Sequence, residues 1–200
     1  MPRWRLSRTG FRRKRRRRKD ARCDRRRYQG DGVTGDGRRR EEEEMKTKLA
    51  FFDIDGTLSA PFYPVGGELR AGMTDDEWLA FCRTYGDDSY RFCKPVAPVK
   101  RYAEQLKADG AALYVLSTSQ TPEEDGSKVR FIEDNFPGLF DGVITVRTDA
   151  EKVPEILSRA QKAGIPAAAC ELIEDTYQNV LAAVTGGLKG THVSQLVWEL

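Results

Sequence analysis

Apolar residues are unevenly spread along this chain of 200 residues. The first 44 positions hold hardly any, whereas from residue 45 onward short apolar runs recur at the spacing of alternating strands and helices. The run KLAFFDIDG is a brief apolar segment ending in carboxylates and a glycine, the pattern of a buried parallel strand that opens into a loop at its carboxyl end. In TDDEWLAFCRTY, Thr74 and Glu77 stand at capping-box spacing ahead of Trp78, Leu79, Phe81 and Cys82, which predicts an amphipathic helix. A second helix is predicted over residues 96–108. Beyond it the pattern is regular: AALYVL as a strand, residues 125–135 as a helix, GVITV as a strand and residues 151–163 as a helix. AACELI is then a strand, residues 176–184 a helix, and KGTHV a last short strand. Such alternation predicts an α/β fold, a three-layer Rossmann-like parallel sheet with helices on both faces. In sheets of this kind ligands bind beyond the carboxyl ends of the strands.

Charge sharpens the boundary near residue 45. Residues 1–44 carry 18 Arg and Lys against 8 Asp and Glu, while residues 45–200 carry 16 against 23, so the small net charge of +3 is the sum of a basic arm and an acidic domain. The arm, rich in consecutive arginines, reads as a low-complexity segment able to release counterions from nucleic acid phosphates, which makes nucleic acid a partner only if the arm is genuine. The competing expectation is that Met45 is the true start, because the Arg and Glu runs just before it imply a purine-rich coding stretch like a bacterial ribosome-binding site. Four Asp interrupt the basic run and Ser is scarce, which disfavours a transit peptide.

Cys23, Cys82, Cys93 and Cys170 have no C-x-x-C spacing and no accompanying His cluster, so neither a zinc site nor a redox pair is indicated, and reduced, mostly buried thiols are expected. No apolar stretch reaches the ~18 residues of a membrane span and no signal-peptide core is visible, so the expected location is cytoplasmic, with no membrane partner.

The chemistry gathers where the predicted strands end. Asp53 and Asp55, Ser117, and Glu174 with Asp175 fall at or just past carboxyl ends, and Lys152 lies a few residues beyond its strand. Four carboxylates and one lysine in one pocket repel one another strongly unless a hard divalent cation with oxygen ligands is present, and Mg²⁺ together with a phosphate answers that need. Some alternatives stay open from the residues alone. Asp53 and Asp55 also suit a turn or a helix N-cap, though an EF-hand loop fails because Gly56 comes too early. Ser117 and Thr118 compete according to strand register, and Lys128 is a rival to Lys152. Asn179 suits either the metal loop or the surface, His192 reads as a capping or packing residue, and Trp78, Phe81, Tyr85, Tyr90 and Phe92 read as local core with some at the entrance of the site.

FFDIDGTL resembles the first motif of the haloacid dehalogenase superfamily. Ser117 at the end of LYVLS is similar to the second motif, Lys152 to the third, and IEDTYQNVLAA to the fourth in its Glu-Asp form; the likeness spans about residues 47–193. The resemblance implies a Mg²⁺-dependent phosphatase acting on a small phosphorylated substrate. In it Asp53 is the nucleophile that forms an aspartyl-phosphate, and Asp55 is the general acid and base. Ser117 and the Thr118 amide bind phosphate, and Lys152 offsets the charge of the nucleophile. Metal ligation falls to Asp53, Asp175, Glu174 and the backbone carbonyl of Asp55. Hydrolysis of a phosphate monoester is favoured over dehalogenation, which needs no acid at position 55, and over a transport ATPase, which resembles this chain less because a Thr stands there. The superfamily likeness also implies a small cap insert over about residues 60–95. A phosphomutase is the alternative among enzymes, and a nucleic-acid-binding protein or polynucleotide-end phosphatase using the basic arm is the alternative of another class.

Overall fold

The structure, a computed structural model, describes residues 47–197. The basic arm, Cys23 and the expected start at Met45 lie outside the described residues. In chain order the elements are β1 (Lys48–Phe52), β2 (Ser59–Ala60), β3 (Tyr63–Val65), β4 (Glu68–Arg70), α1 (Asp75–Tyr85), β5 (Lys94–Pro95), α2 (Ala97–Ala108), β6 (Ala111–Thr118), α3 (Pro122–Asn135), β7 (Gly142–Val146), α4 (Lys152–Ala163), β8 (Cys170–Glu174), α5 (Tyr177–Thr185) and β9 (Lys189–His192).

Five strands form one parallel sheet in the order β7-β6-β1-β8-β9. From β1 the chain runs outward through β6 to β7, then crosses to β8 and continues outward to β9 on the other side. The strand order therefore reverses beside β1, where α/β sheets open a crevice at their carboxyl edge.

Alternate residues of the strands feed two separate cores, as a sheet covered on both faces requires. Ala50, Phe52, Leu113, Val115 and Ile173 pack on one side with Val99 and Ala103 of α2 and Phe131 and Ile132 of α3. Leu49, Phe51, Ala112, Leu116 and Leu172 pack on the other with Ile156 and Ala160 of α4 and Ala183 of α5. Each fully buried side chain of this size contributes about 1.5–3 kcal/mol, which is why apolar runs of only five residues hold firm strands. The expected three-layer α/β fold is the one observed. Cys82, Cys93 and Cys170 are free and buried, and no helix among the described residues is long and apolar enough to cross a membrane.

Local chemistry accounts for the element boundaries. Thr74 caps α1 with the full capping box to Glu77. Helix α3 begins three residues earlier than its apolar pattern predicts, because Thr121 accepts from the Glu124 amide and Pro122 occupies the first turn, where its missing N–H costs nothing. Between β1 and β6 lies a small insert closed at its base, where β2 and β5 pair antiparallel as Ser59↔Pro95 and Ala60↔Lys94. Inside it β3 and β4 form a hairpin turned by Gly66 and Gly67, both with positive φ, as a two-residue hairpin loop demands. Phe81, Tyr85 and Phe92 pack ring against ring within the insert, and Tyr90 reaches Phe131 of α3.

Candidate active site

Strand β1 ends at Phe52, opposite Ile173 of β8, and the Asp53 amide extends the ladder by donating to the Ile173 carbonyl at 3.0 Å. One position beyond that register stand Asp53 and Glu174, so the strand order itself sets two carboxylates side by side at the crevice. Both are buried. Lys152, the first residue of α4, points back between them, with Nζ 3.0 Å from Asp53 Oδ1 and 2.8 Å from Glu174 Oε2. Its ammonium also lies 3.2 Å from Asp149 Oδ1.

The electrostatics follow from burial. Loss of water pushes the Asp53 carboxyl above its ordinary value; Lys152 opposes this and Asp55 adds to it. Burial and then the charge of Asp53 push the Glu174 carboxyl up in the same way, again opposed by Lys152. For Lys152, burial favours the neutral amine, but Asp53 and Glu174 outweigh it and hold the ammonium charged. The arrangement is short of positive charge. One oxygen each from Asp53, Glu174 and Asp175 lies within 4.8 Å of the others. Three hard oxygen donors so close together fit Mg²⁺ far better than a soft metal.

The loop after β1 is shaped to admit this group. Gly56 has φ of +74°, and a β-carbon there would meet the carboxylate of Asp175, lying 2.6 Å from its Cγ. Only glycine leaves room at this crossing. His192 Nε2 lies 2.7 Å from the Asp175 backbone carbonyl, so the histidine braces the loop that carries Asp175.

Asp55 has partners of its own. Its two oxygens each lie 2.8 Å from the Tyr90 hydroxyl, which donates, and Oδ2 lies 3.1 Å from Lys128 Nζ. Lys128 is wholly buried and also pairs with Glu124 Oε1 at 3.0 Å, donates to Ser117 Oγ at 3.0 Å, and donates to the Thr118 carbonyl. Lys152 and Lys128 are thus not alternatives: Lys152 meets Asp53 and Lys128 meets Asp55. Ser117 is buried, and Thr118 turns its hydroxyl to Asp149 Oδ1 at 2.5 Å.

One cavity of about 490 Å³ gathers Asp53, Asp55, Ser117, Thr118, Lys152, Glu174 and Asp175. These are the seven residues given a catalytic, phosphate-binding or metal role from the sequence, and Asn179 lines the same wall, whereas Lys128 and the aromatic residues considered for the entrance do not. Sequence reasoning missed the grip of Tyr90 on Asp55, and it missed Glu124 and Asp149 altogether. The only sequence signal for Glu124 was its i,i+4 spacing to Lys128.

No family model matches the sequence, and no curated protein matches it. Among solved structures, a putative phosphoglycolate phosphatase from Lactobacillus delbrueckii subsp. bulgaricus is similar with TM-score 0.50 and 16% identity, covering 74% of this chain and 86% of that one. A phosphoserine phosphatase, solved as an analogue of its phospho-aspartyl intermediate, is similar with TM-score 0.50 and 15% identity, covering 77% of this chain and 91% of that one. With the parallel sheet and its strand order, these likenesses show that the chain shares the α/β fold of those two proteins.

Proposed function

We propose that the protein is a Mg²⁺-dependent hydrolase of phosphate monoesters that works through an aspartyl-phosphate on Asp53. The observation that carries this reading is the buried Asp53 with Lys152 Nζ 3.0 Å from its Oδ1, on the wall of the cavity that also holds Ser117, Asp55 and Asp175. Phosphoryl transfer asks a protein for positioning and charge stabilisation, and this group supplies both.

In the first step an Asp53 oxygen forms a bond to phosphorus while the bond from phosphorus to the ester oxygen breaks. Asp55 gives its proton to the departing alkoxide. In the second step a water attacks the same phosphorus, its proton passes to Asp55, and the bond to Asp53 breaks to release phosphate. Ser117 and the Thr118 amide hold phosphate oxygens, and Lys152 balances the charge on Asp53. Asp53, Asp175 and the Asp55 backbone carbonyl would hold Mg²⁺ directly, with Glu174, already engaged by Lys152 and by the Thr176 amide, orienting it through water. Bound there, the ion neutralises charge on the phosphate oxygens.

Hydrolysis is favoured over a mutase because a mutase must keep water from its aspartyl-phosphate. The insert over this site is two short hairpin strands, one helix and a 3-10 segment. The test is release of phosphate from a panel of phosphomonoesters by the purified full chain, with Mg²⁺ and with EDTA. Release that needs Mg²⁺ and disappears in Asp53→Asn is expected. Absence of release from every ester, or full activity in EDTA, would overturn the reading.

A further inference from the structure

Beside the main cavity, and sharing Asp55 and Tyr63 with it, lies a second cavity of about 210 Å³ whose wall is completed by Met73, Asp75, Trp78, Tyr90 and Glu124. No step of the proposed reaction uses it. Because Asp55 borders both cavities, a group attached to the oxygen that Asp55 protonates would extend from the first into the second. The volume is below the 300–1,000 Å³ usual for drug-sized ligands, so the space suits a small leaving group.

The walls restrict its chemistry. The Trp78 ring is inclined 59° to Tyr63 at 5.5 Å and 87° to Tyr90 at 5.8 Å. Tyr63 and Tyr90 are buried, so the half-buried Trp78 is the ring that offers surface to the cavity, and the small volume suits a compact group. The charged residues of the lining are three carboxylates, Asp55, Asp75 and Glu124. Lys128, behind the wall, lies 3.1 Å from Asp55 and 3.0 Å from Glu124 and so offsets part of their charge. Asp75, in the first turn of α1, also lines the cavity and has no cationic partner among the described residues. An anionic group would be repelled here and a neutral one would gain only contact. A cation gains contact with the half-buried Trp78 ring and the charge of Asp75, which has no cationic partner among the described residues.

We propose that this cavity is the leaving-group pocket and that it selects phosphomonoesters whose alcohol carries a small ammonium group and no second acidic group. The inference rests on the phosphatase reading above, and the experiment separates the two. Phosphocholine and 3,3-dimethylbutyl phosphate have nearly the same shape and differ in the positive charge. Hydrolysis of both by the full chain with Mg²⁺ is expected to favour phosphocholine at least about tenfold in kcat/KM, and Asp75→Asn is expected to reduce that ratio several-fold. Equal hydrolysis of the two esters would overturn the ammonium pocket while leaving the phosphatase reading intact. If neither these nor any other phosphomonoester is hydrolysed, the phosphatase reading falls, and binding decides the pocket by itself. Titration with tetramethylammonium chloride, against potassium chloride at equal ionic strength, is expected to change tryptophan fluorescence saturably in wild type and weakly in Asp75→Asn. A wild-type response no different from that to potassium chloride would overturn the pocket.

Discussion

Tyr90 holds Asp55 from the far side of the insert: its hydroxyl donates 2.8 Å from each carboxylate oxygen, across 35 positions of sequence. Burial and then the adjacent Asp55 charge push the Tyr90 phenol well above its ordinary value, so it stays a donor throughout the working range of pH. Tyr90→Phe keeps the ring and removes only that donor. A hydrogen bond to a charged group contributes about 1.5–3 kcal/mol, so kcat is expected to fall roughly ten- to a hundredfold with KM little changed. Steady-state kinetics on one aryl phosphate and one alkyl phosphate would check this. An unchanged kcat for the alkyl ester, which depends most on a proton donor, would remove Asp55 and Tyr90 from the proposed acid step.

Lys128 is expected to matter for stability as well as for catalysis. Its ammonium is held charged by Asp55, Glu124 and Asp53 against the pull of burial, and Glu124 beside it is buried too. Lys128→Met strands these carboxylates, and breaking a buried ion pair costs about 3–5 kcal/mol. For a domain of this size each kcal/mol moves Tm by about 2–4 °C, so thermal unfolding should fall by roughly 6–20 °C. Adding Glu124→Gln to Lys128→Met removes one of the stranded charges and should recover part of the loss. A double variant less stable than Lys128→Met would contradict this account.

The parts of the site that were legible in the sequence are those where one short run carries both the strand and its chemistry. Asp53 and Asp55 follow directly on LAFF, and Ser117, Glu174 and Asp175 likewise sit at the ends of apolar runs, so knowing the strand placed the residue. Helix α1 was legible through its capping box, a purely local signal. Tyr90 and Lys128 were harder for a physical reason. Tyr90 lies in a 3-10 segment, Gly86–Phe92, with no periodicity to say which way its side chain points. Lys128 lies inside α3, and whether it faces solvent or the site depends on the rotation of that helix against the sheet, set by Phe131 and Ile132 packing into the core. Three-dimensional packing, more than motif, decided both.

Gly56 should be intolerant of any side chain. At φ of +74° alanine is strained by about 1 kcal/mol, but the larger effect is steric, because the added carbon would sit against the Asp175 carboxylate. Gly56→Ala is therefore expected to leave the chain folded, to raise the Mg²⁺ concentration needed for half-maximal activity, and to lower activity about a hundredfold at limiting Mg²⁺. Mg²⁺ titration of phosphate release with the circular dichroism spectrum as a check on folding would measure it. Wild-type Mg²⁺ dependence in this variant would show that Asp175 does not serve the metal.

The stability of the metal-free chain should fall as pH rises from mildly acid to mildly alkaline. A carboxyl whose folded pKa lies above its unfolded value binds its proton more tightly in the folded chain. Its contribution is fully present below the unfolded value and is lost as pH rises through the folded value, about 6 for Asp53 and about 8 for Glu174. The cause is the same for both, a buried carboxylate that Lys152, with Lys128 also acting on Asp53, compensates only in part. Carboxylates shifted the other way, Glu77, Asp125 and Asp149, lose their contribution only below the ordinary carboxylate range, so they stay constant over this window. Mg²⁺ reverses the trend, since it binds the deprotonated oxygens and must displace any proton they hold. Thermal unfolding in EDTA should therefore give a Tm that declines from roughly pH 5 to roughly pH 8, while the rise in Tm on adding millimolar Mg²⁺ grows over the same range. Asp53→Asn should flatten the decline in EDTA, because it removes one of the two buried carboxyls and with it the charge that adds to the burial of Glu174. A Tm in EDTA that climbs steadily across this range, or a Mg²⁺ effect equal at both ends of it, would mean that the carboxylates at the ends of β1 and β8 are not the groups that bind the ion.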